Sequence, residues 1–109
     1  MSEPTYKLVW FVPREALDPT REAVFAAGAG RIGRYEHCSW YTAGTGTFLG
    51  TEGTEPSVGE PGREQRTNEL RVEAVVPARR AKEVVAALIE AHPYEEVAFE
   101  LYPLVELEP

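Results

Sequence analysis

The sequence contains one pattern twice, a hydrophobic strand that ends in Val-Pro and is followed by a helix, and this repeat limits the possible folds most. Phe11-Val12-Pro13 matches Val75-Val76-Pro77, and residues 21–27, which follow the first copy, match residues 82–88, which follow the second. Each half predicts a strand, a helix and a strand. Two such halves in one small chain indicate a ferredoxin-like α+β sandwich, with both helices on one face of a four-stranded antiparallel sheet.

Local patterns place five of the six elements. Residues 6–12 are β-branched and aromatic, which predicts a buried strand, and residues 14–27 predict a helix whose main body follows Asp18-Pro19. Residues 68–76 alternate apolar and polar side chains, as in a strand with one solvated face. Residues 78–91 carry one apolar stripe and predict the second helix, and Val97, Phe99 and Leu101 mark the last strand.

The middle of the chain is harder to divide. Residues 32–42 are rich in aromatic side chains and predict the second strand, followed by a turn at Gly44-Thr45-Gly46 and a short return strand at residues 47–49. Residues 50–67 are rich in glycine, proline and glutamate, and they predict a mobile loop. Residues 103–109 form a tail. The whole of 1–109 is predicted to be one domain.

Charge and composition exclude several functions. The 109 residues include 18 acidic and 11 basic side chains, a net charge of −7, which disfavours nucleic acid as a partner. No segment approaches the length of apolar sequence that a membrane helix needs, so we expect no membrane partner. The start of the chain lacks the features of a signal peptide, and Cys38 is the single cysteine. These features predict a cytoplasmic protein.

Two helices cover only one face of the predicted sheet. The first strand and Val75 carry apolar residues on both sides, so the second face is expected to be covered as well. A domain of this size usually covers such a face by association with copies of itself. We therefore expect a homo-oligomer, of unknown subunit number.

The two histidines suggest a metal site. His92 is followed closely by Glu95 and Glu96. His37 lies on the predicted second strand, which runs toward the edge of the sheet where the second helix ends at His92. Two imidazoles and a carboxylate suit zinc, nickel, copper or cobalt. The alternative is that His92 ends a helix and His37 is an ordinary strand residue. Cys38 adjoins His37, but neighbours on a strand point to opposite faces, so a catalytic pair is not favoured. The sequence predicts no catalytic residues.

Three segments resemble a known family. Residues 28–39 (GAGRIGRYEHCS), residues 44–48 (GTGTF) and residues 92–104 (HPYEEVAFELYPL) are similar, in this order, to the YqfO-type domain of the Nif-three-like proteins, also named GTP cyclohydrolase I type-two homologues. The resemblance covers residues 6 to about 104. It implies a ferredoxin-like core similar to the PII and CutA-like proteins, and a tendency to oligomerise. It does not imply the parent family's dimetal centre, which lies in flanking domains.

These observations favour a binding module over an enzyme. The leading hypothesis is a homo-oligomeric module that binds a divalent metal or another small ligand near His37 and His92. The PII likeness suggests a small-molecule sensor that uses the long loop, although Arg63 and Arg66 are the only basic residues there. A ligand-free regulatory or structural interaction module is the alternative, and a hydrolase is a remote one.

Overall fold

Four strands and two helices follow one another in the predicted order, β-α-β-β-α-β. A computed structural model describes residues 3–51 and 62–107. All neighbouring strands are antiparallel, and the sheet order is β2-β3-β1-β4, which confirms the ferredoxin-like α+β class. The elements are β1 (Thr5–Val12), α1 (Leu17–Ala26), β2 (Trp40–Leu49), β3 (Glu64–Pro77), α2 (Ala81–Ala91) and β4 (Phe99–Pro103).

The Val-Pro repeat marks the same junction in both halves. Pro13 and Pro77 have extended backbones, with φ of −67° and −61°, and each is followed by a three-residue 3-10 turn that leads into a helix. Proline suits this position because it has no N–H to donate to a neighbouring strand and its φ is already fixed. Helix α1 begins at Leu17, so Asp18 lies in its first turn, where it pairs with Arg21 at 2.9 Å.

The core lies between the helices and one face of the sheet. The indole of Trp10 is fully buried, and its N–H donates to the Thr20 hydroxyl at 3.0 Å, so the polar atom of this large side chain has a partner. The Thr20 hydroxyl lies 2.8 Å from the Ala16 carbonyl oxygen, to which it donates. The other fully buried members of the core are Leu8, Val12, Val24, Val72, Val76, Val84 and Leu88.

The opposite face of the sheet is more polar than the sequence predicts. Val9 on this face is fully buried, but Lys7 and Arg71 both reach Glu73, at 3.7 and 3.1 Å. Trp40 pairs with Glu73 in register and leaves 59% of its surface exposed. The second face therefore combines apolar side chains with charged ones of β1 and β3, and its coverage by another copy of the chain stays a prediction.

The second strand lies later in the chain than predicted. Residues 32–39 form a loop with one isolated bridge between Ile32 and Tyr35, and β2 begins at Trp40. Gly44 and Gly46 are not in a turn but inside β2, where they pair with Glu69 and Thr67, and residues 47–49 continue the same strand. Pairing with β3 thus outweighs the low strand propensity of glycine.

The predicted loop at 50–67 is shorter in the structure. Residues 64–67 belong to β3, and the Gly62 N–H donates to the Gly50 carbonyl at 2.6 Å. Residues 52–61 lie outside the described residues. Because β1 ends at Val12 opposite Leu70, residues 44–49 and 64–69 pair only with each other in the sheet. They form a two-stranded ribbon beyond β1.

The tail begins one residue later than predicted, because β4 includes Pro103. The Leu104 N–H then donates to the Thr5 carbonyl at 3.0 Å, which holds the start of the tail beside β1. Val105 and Leu107 are 92% and 89% exposed. Within the described part of the chain, neither helix is long and apolar enough to cross a membrane.

Candidate functional site

His92 is the first residue after α2, and it is buried at 7% exposure. Its Nε2 lies 2.6 Å from the Phe11 carbonyl oxygen, and its Nδ1 accepts the Tyr94 N–H at 3.2 Å. One nitrogen must therefore donate and the other accept, which is the arrangement of a neutral imidazole. Both ring nitrogens are engaged within the chain, so His92 fixes the turn between α2 and β4.

Burial favours the neutral form of this imidazole. Desolvation lowers the pKa of His92 below 6.5, although the Phe11 carbonyl and the charge of Glu69 act in the opposite direction. Phe11 also donates its N–H to the Ala98 carbonyl at 3.3 Å. Strand β4 does not extend as far as Phe11. Ala98 and His92 therefore supply the hydrogen-bond partners that a neighbouring strand would otherwise supply to the Phe11 backbone.

The turn after His92 forms one wall of a cleft of about 370 Å³. The ribbon supplies the opposite wall, and Phe11 at the end of β1 lies between them. Three carboxylates, those of Glu69, Glu95 and Glu96, line the cleft. The remaining lining residues are Gly46, Thr47, Phe48, Leu49, Gly50, Thr51, Thr67, Tyr94 and Ala98, so none of the described lining residues is basic.

Glu69 and Tyr94 connect the two walls of the cleft. The Tyr94 hydroxyl donates to Glu69 Oε2 at 3.3 Å, and burial together with the charge of Glu69 raises the pKa of the phenol. A Cβ atom at Gly46 would overlap with the Glu69 carboxylate. Gly46 therefore leaves the space that this carboxylate occupies, which accounts for a glycine inside a strand.

A second cavity of about 300 Å³ adjoins the cleft on the open face of the sheet. Both are lined by Phe11, Gly46 and Glu69, and the second is also lined by Arg71 and by residues 42–45. The Arg71 guanidinium lies over the Phe11 ring, 5.7 Å from its centroid. The Arg71 side chain, which contacts the Phe11 ring and Glu73, therefore places a positive charge next to the acidic cleft.

His37 lies elsewhere in the fold. Its ring stacks on Phe25 at the end of α1, with centroids 4.8 Å apart, and its φ of +57° is unusual for a residue other than glycine. The loop that carries His37 is held near Val75, because the Gly30 N–H donates a hydrogen bond to the Val75 carbonyl. Val75 pairs with Lys7, whereas His92 contacts Phe11, four residues along β1. Four strand residues span about 13 Å.

The predicted site residues thus separate into two groups. Glu95 and Glu96 lie together at the cleft, beside the turn that His92 fixes, while His37 is near the other end of β1. Among residues 3–51 and 62–107, no three His, Cys, Asp or Glu side chains are grouped as ligands of one metal ion. One chain does not bring the two imidazoles together, and an ion shared by both stays a prediction.

Glu69 and Phe11 were not predicted as cleft residues from the sequence. Both lie on strands whose alternation predicted only packing, and their proximity to Tyr94 comes from the order of strands in the sheet. One available signal was the motif at 44–48. Two glycines on the same face of a strand often mark a position where another group approaches the backbone closely.

Comparison with known proteins agrees with this architecture. A comparison with models of known protein families gave no match. The chain is 54% identical over 99 residues to the GTP cyclohydrolase 1 type 2 homologue of Mycobacterium tuberculosis, covering 91% of this chain and 26% of that protein. For the homologue from Bacillus subtilis the identity is 42% over 103 residues, covering 94% and 28%. The chain thus spans about a quarter of the length of these relatives.

Solved structures show the same relationship. A Bacillus cereus protein related to NIF3 superposes with a TM-score of 0.86 at 42% identity, covering 97% of this chain and 27% of that one. The CutA protein of Archaeoglobus fulgidus superposes with a TM-score of 0.69 at 11% identity, covering 95% and 87%, which shows a shared fold. GlnK of Bacillus subtilis shares it as well, with a TM-score of 0.62 at 13% identity, covering 93% and 85%. The chain is therefore homologous to one ferredoxin-like domain of the NIF3-related proteins named GTP cyclohydrolase 1 type 2 homologues.

Proposed function

We propose that this domain is a homo-oligomeric binding and assembly module that holds a divalent metal ion or another small cationic ligand in the acidic cleft near His92. The observation that carries the proposal is the cleft itself, with three carboxylates and no basic side chain among the described residues that line it. A cation held by one or two of these carboxylates gains an attraction that no described basic residue of the lining already satisfies. The proposal keeps the sequence-based ligand class and moves its centre to the turn after His92.

The donor set supports a cation in chemical terms. Glu95 and Glu96 are exposed, and neither forms an ion pair with any residue that the structure describes. Oxygen donors suit hard divalent ions, and zinc, nickel, copper and cobalt also accept carboxylates. His92 acts here as a positioning residue, because its ring nitrogens hold Phe11 and Tyr94.

Titration calorimetry tests the ligand. Zinc, nickel, copper and cobalt chlorides are titrated into the protein without a His-tag, and into Glu95→Gln, Glu96→Gln, His92→Ala and His37→Ala variants. We expect binding tighter than about 1 mM, weakened on the order of tenfold by loss of either cleft carboxylate. Glu22→Gln is the matched control, since Glu22 is an exposed carboxylate on α1, away from the cleft.

Two results would overturn the ligand part of the proposal. One is the absence of binding tighter than about 1 mM for all four ions. The other is equal affinity in the wild type and in both cleft variants. Loss of binding in His37→Ala alone would instead support the sequence-based prediction that His37 supplies a ligand. Light scattering tests the homo-oligomer, since the mass of one chain is 12.1 kDa.

A ligand-free interaction module is the second candidate, and the exposed apolar residues of the tail favour it. Leu104, Val105 and Leu107 follow β4 and present 41%, 92% and 89% of their surfaces to solvent. We do not extend the relatives' cyclohydrolase name to this domain. Among the described residues, the Cys38 thiol lies 3.9 Å from the Glu36 carbonyl oxygen and has no imidazole as a hydrogen-bond partner. The described structure therefore offers no Cys–His pair at Cys38 that would support such an activity.

A further inference from the structure

The loop between α1 and β2 carries a small hairpin whose tip is exposed. Ile32 and Tyr35 exchange two backbone hydrogen bonds of 3.0 and 2.9 Å, and Gly33 between them has a φ of +59°. Glycine with positive φ at the first central position is typical of a type II′ hairpin turn. We call residues 31–35 the arginine tip, because this short segment contains both Arg31 and Arg34.

Several contacts hold the base of the arginine tip in place. The Gly30 N–H donates to the Val75 carbonyl at 2.8 Å, and the Gly30 carbonyl accepts the Cys38 N–H at 2.8 Å. The His37 ring stacks on Phe25 with an interplanar angle of 9°. Two hydrogen bonds and a stacked ring therefore fix the direction in which the tip points, so the loop backbone has little conformational entropy left to lose on docking.

The chemistry of the tip is that of a binding surface. Ile32 and Tyr35 are 55% and 76% exposed. Arg31 and Arg34 are exposed, and neither forms a hydrogen bond or an ion pair with any residue in 3–51 or 62–107. Tyrosine and arginine are over-represented among the residues that dominate binding energy at protein interfaces. An acidic surface that also presents aromatic rings is complementary to this tip.

The acidic cleft has this complementary chemistry. It combines the Glu69, Glu95 and Glu96 carboxylates with the aromatic rings of Phe11 and Tyr94. The tip is attached beside Val75, whereas the cleft lies at Phe11, so the two surfaces are at opposite ends of β1. The tip of one chain therefore does not reach its own cleft.

We infer that the arginine tip of one copy docks at the acidic cleft of a second copy, and that the cleft is completed only in the assembly. This inference rests on the homo-oligomeric part of the proposed function. The contact joins two different surfaces, so each copy offers one tip and one cleft. Such a contact produces a closed ring when the rotation between copies allows closure. Arg31 and Arg34 then neutralise carboxylates of the cleft and compete with a metal ion for them, so a metal ion binds more tightly to a cleft in which no tip is docked.

Charge reversal on each side tests the contact. The tip variant is Arg31→Glu with Arg34→Glu, and the cleft variant is Glu95→Lys with Glu96→Lys. At a concentration where light scattering shows the wild type assembled, each variant alone should give a mass near 12.1 kDa. We expect self-association to weaken on the order of tenfold or more, because like charges then face each other.

Mixing the two variants gives the sharper result. The reversed tip then meets the reversed cleft, and the native tip meets the native cleft, so the equimolar mixture should regain a mass above that of one chain. The matched controls are Arg14→Glu with Lys82→Glu, and Glu22→Lys with Glu83→Lys. They change the net charge equally at exposed positions that belong neither to the tip nor to the lining of the cleft, and they should keep the wild-type mass. Circular dichroism confirms that each variant is folded.

The outcomes separate this inference from the proposed function. If the wild type is assembled and the tip variant keeps its mass, the docking inference fails while the homo-oligomer stands. If the mixture of folded variants stays monomeric, the inference fails as well. A wild type that is monomeric at all concentrations overturns both. Calorimetry of zinc with the monomeric tip variant, whose cleft is intact, tests ligand binding separately.

Discussion

Replacing His92 with leucine should destabilise the domain by about 2 kcal/mol. Leucine fills much of the buried volume but cannot donate to the Phe11 carbonyl or accept the Tyr94 N–H, which His92 contacts at 2.6 and 3.2 Å. A buried polar group left without a partner costs about 1–3 kcal/mol. Tyr94 is only half-buried, so the loss of the hydrogen bond from its N–H should contribute less to the destabilisation than the loss of the bond to Phe11.

The same substitution should remove a pH dependence. Burial lowers the pKa of His92 in the folded chain below 6.5, so the unfolded chain takes up a proton first as the pH falls. The stability that His92 contributes is therefore complete above the unfolded pKa of 6.5 and is lost as the pH falls toward the lowered folded value. In the wild type, the free energy of unfolding should decrease between about pH 7.5 and pH 5.5, and in His92→Leu this decrease should disappear.

Urea unfolding at fixed protein concentration measures both effects, with the fluorescence of fully buried Trp10 as a signal. His37→Leu is the matched control, because it replaces the other histidine, which is exposed. It should keep the decrease at acidic pH. A His92→Leu protein as stable as the wild type at neutral pH, with the acid dependence retained, would refute our assignment of the imidazole contacts.

Substitutions at three further positions test the packing that supports the site and the loop. Thr20→Val should cost about 1–3 kcal/mol in the free energy of unfolding, because the indole N–H of Trp10 loses its 3.0 Å acceptor, while Thr20→Ser should keep most of the stability. Gly30→Ala should lower the thermal midpoint, because its φ is +80° and its Cβ would lie 2.6 Å from the Phe25 ring. Gly33→Ala should lower it less, since its φ of +59° is strained but the space around it is open. Equal midpoints for the two alanine variants would contradict the close packing at Gly30.

The helices and the central strands could be predicted because their signals are local. The Val-Pro repeat located both strand-to-helix junctions, and the alternation around Val72 identified the inner strand β3. The second strand was misplaced because residues 32–39 have strand-like composition, yet their conformation is set by long-range contacts. Gly30 bonds to Val75 and His37 stacks on Phe25, and neither contact can be seen in a sequence window.

The candidate site could be predicted only in part, for the same physical reason. His92, Glu95 and Glu96 are close together in the sequence, and the structure keeps them at one turn. Glu69 joins them because β3 lies beside β1, which is a property of the sheet order. Spacing identified His92 as a chemically important residue, but it could not show that both of its nitrogens are engaged by the backbone.

The two ends of the described fold lie side by side, and this has a consequence for longer proteins. Tyr6 pairs with Pro103, and the Leu104 N–H bonds to the Thr5 carbonyl at 3.0 Å. A longer polypeptide that carried this domain at an internal position would enter and leave it at a single point. Two adjacent connections behave as a hinge, so the domain could change its orientation as one body without breaking its own sheet.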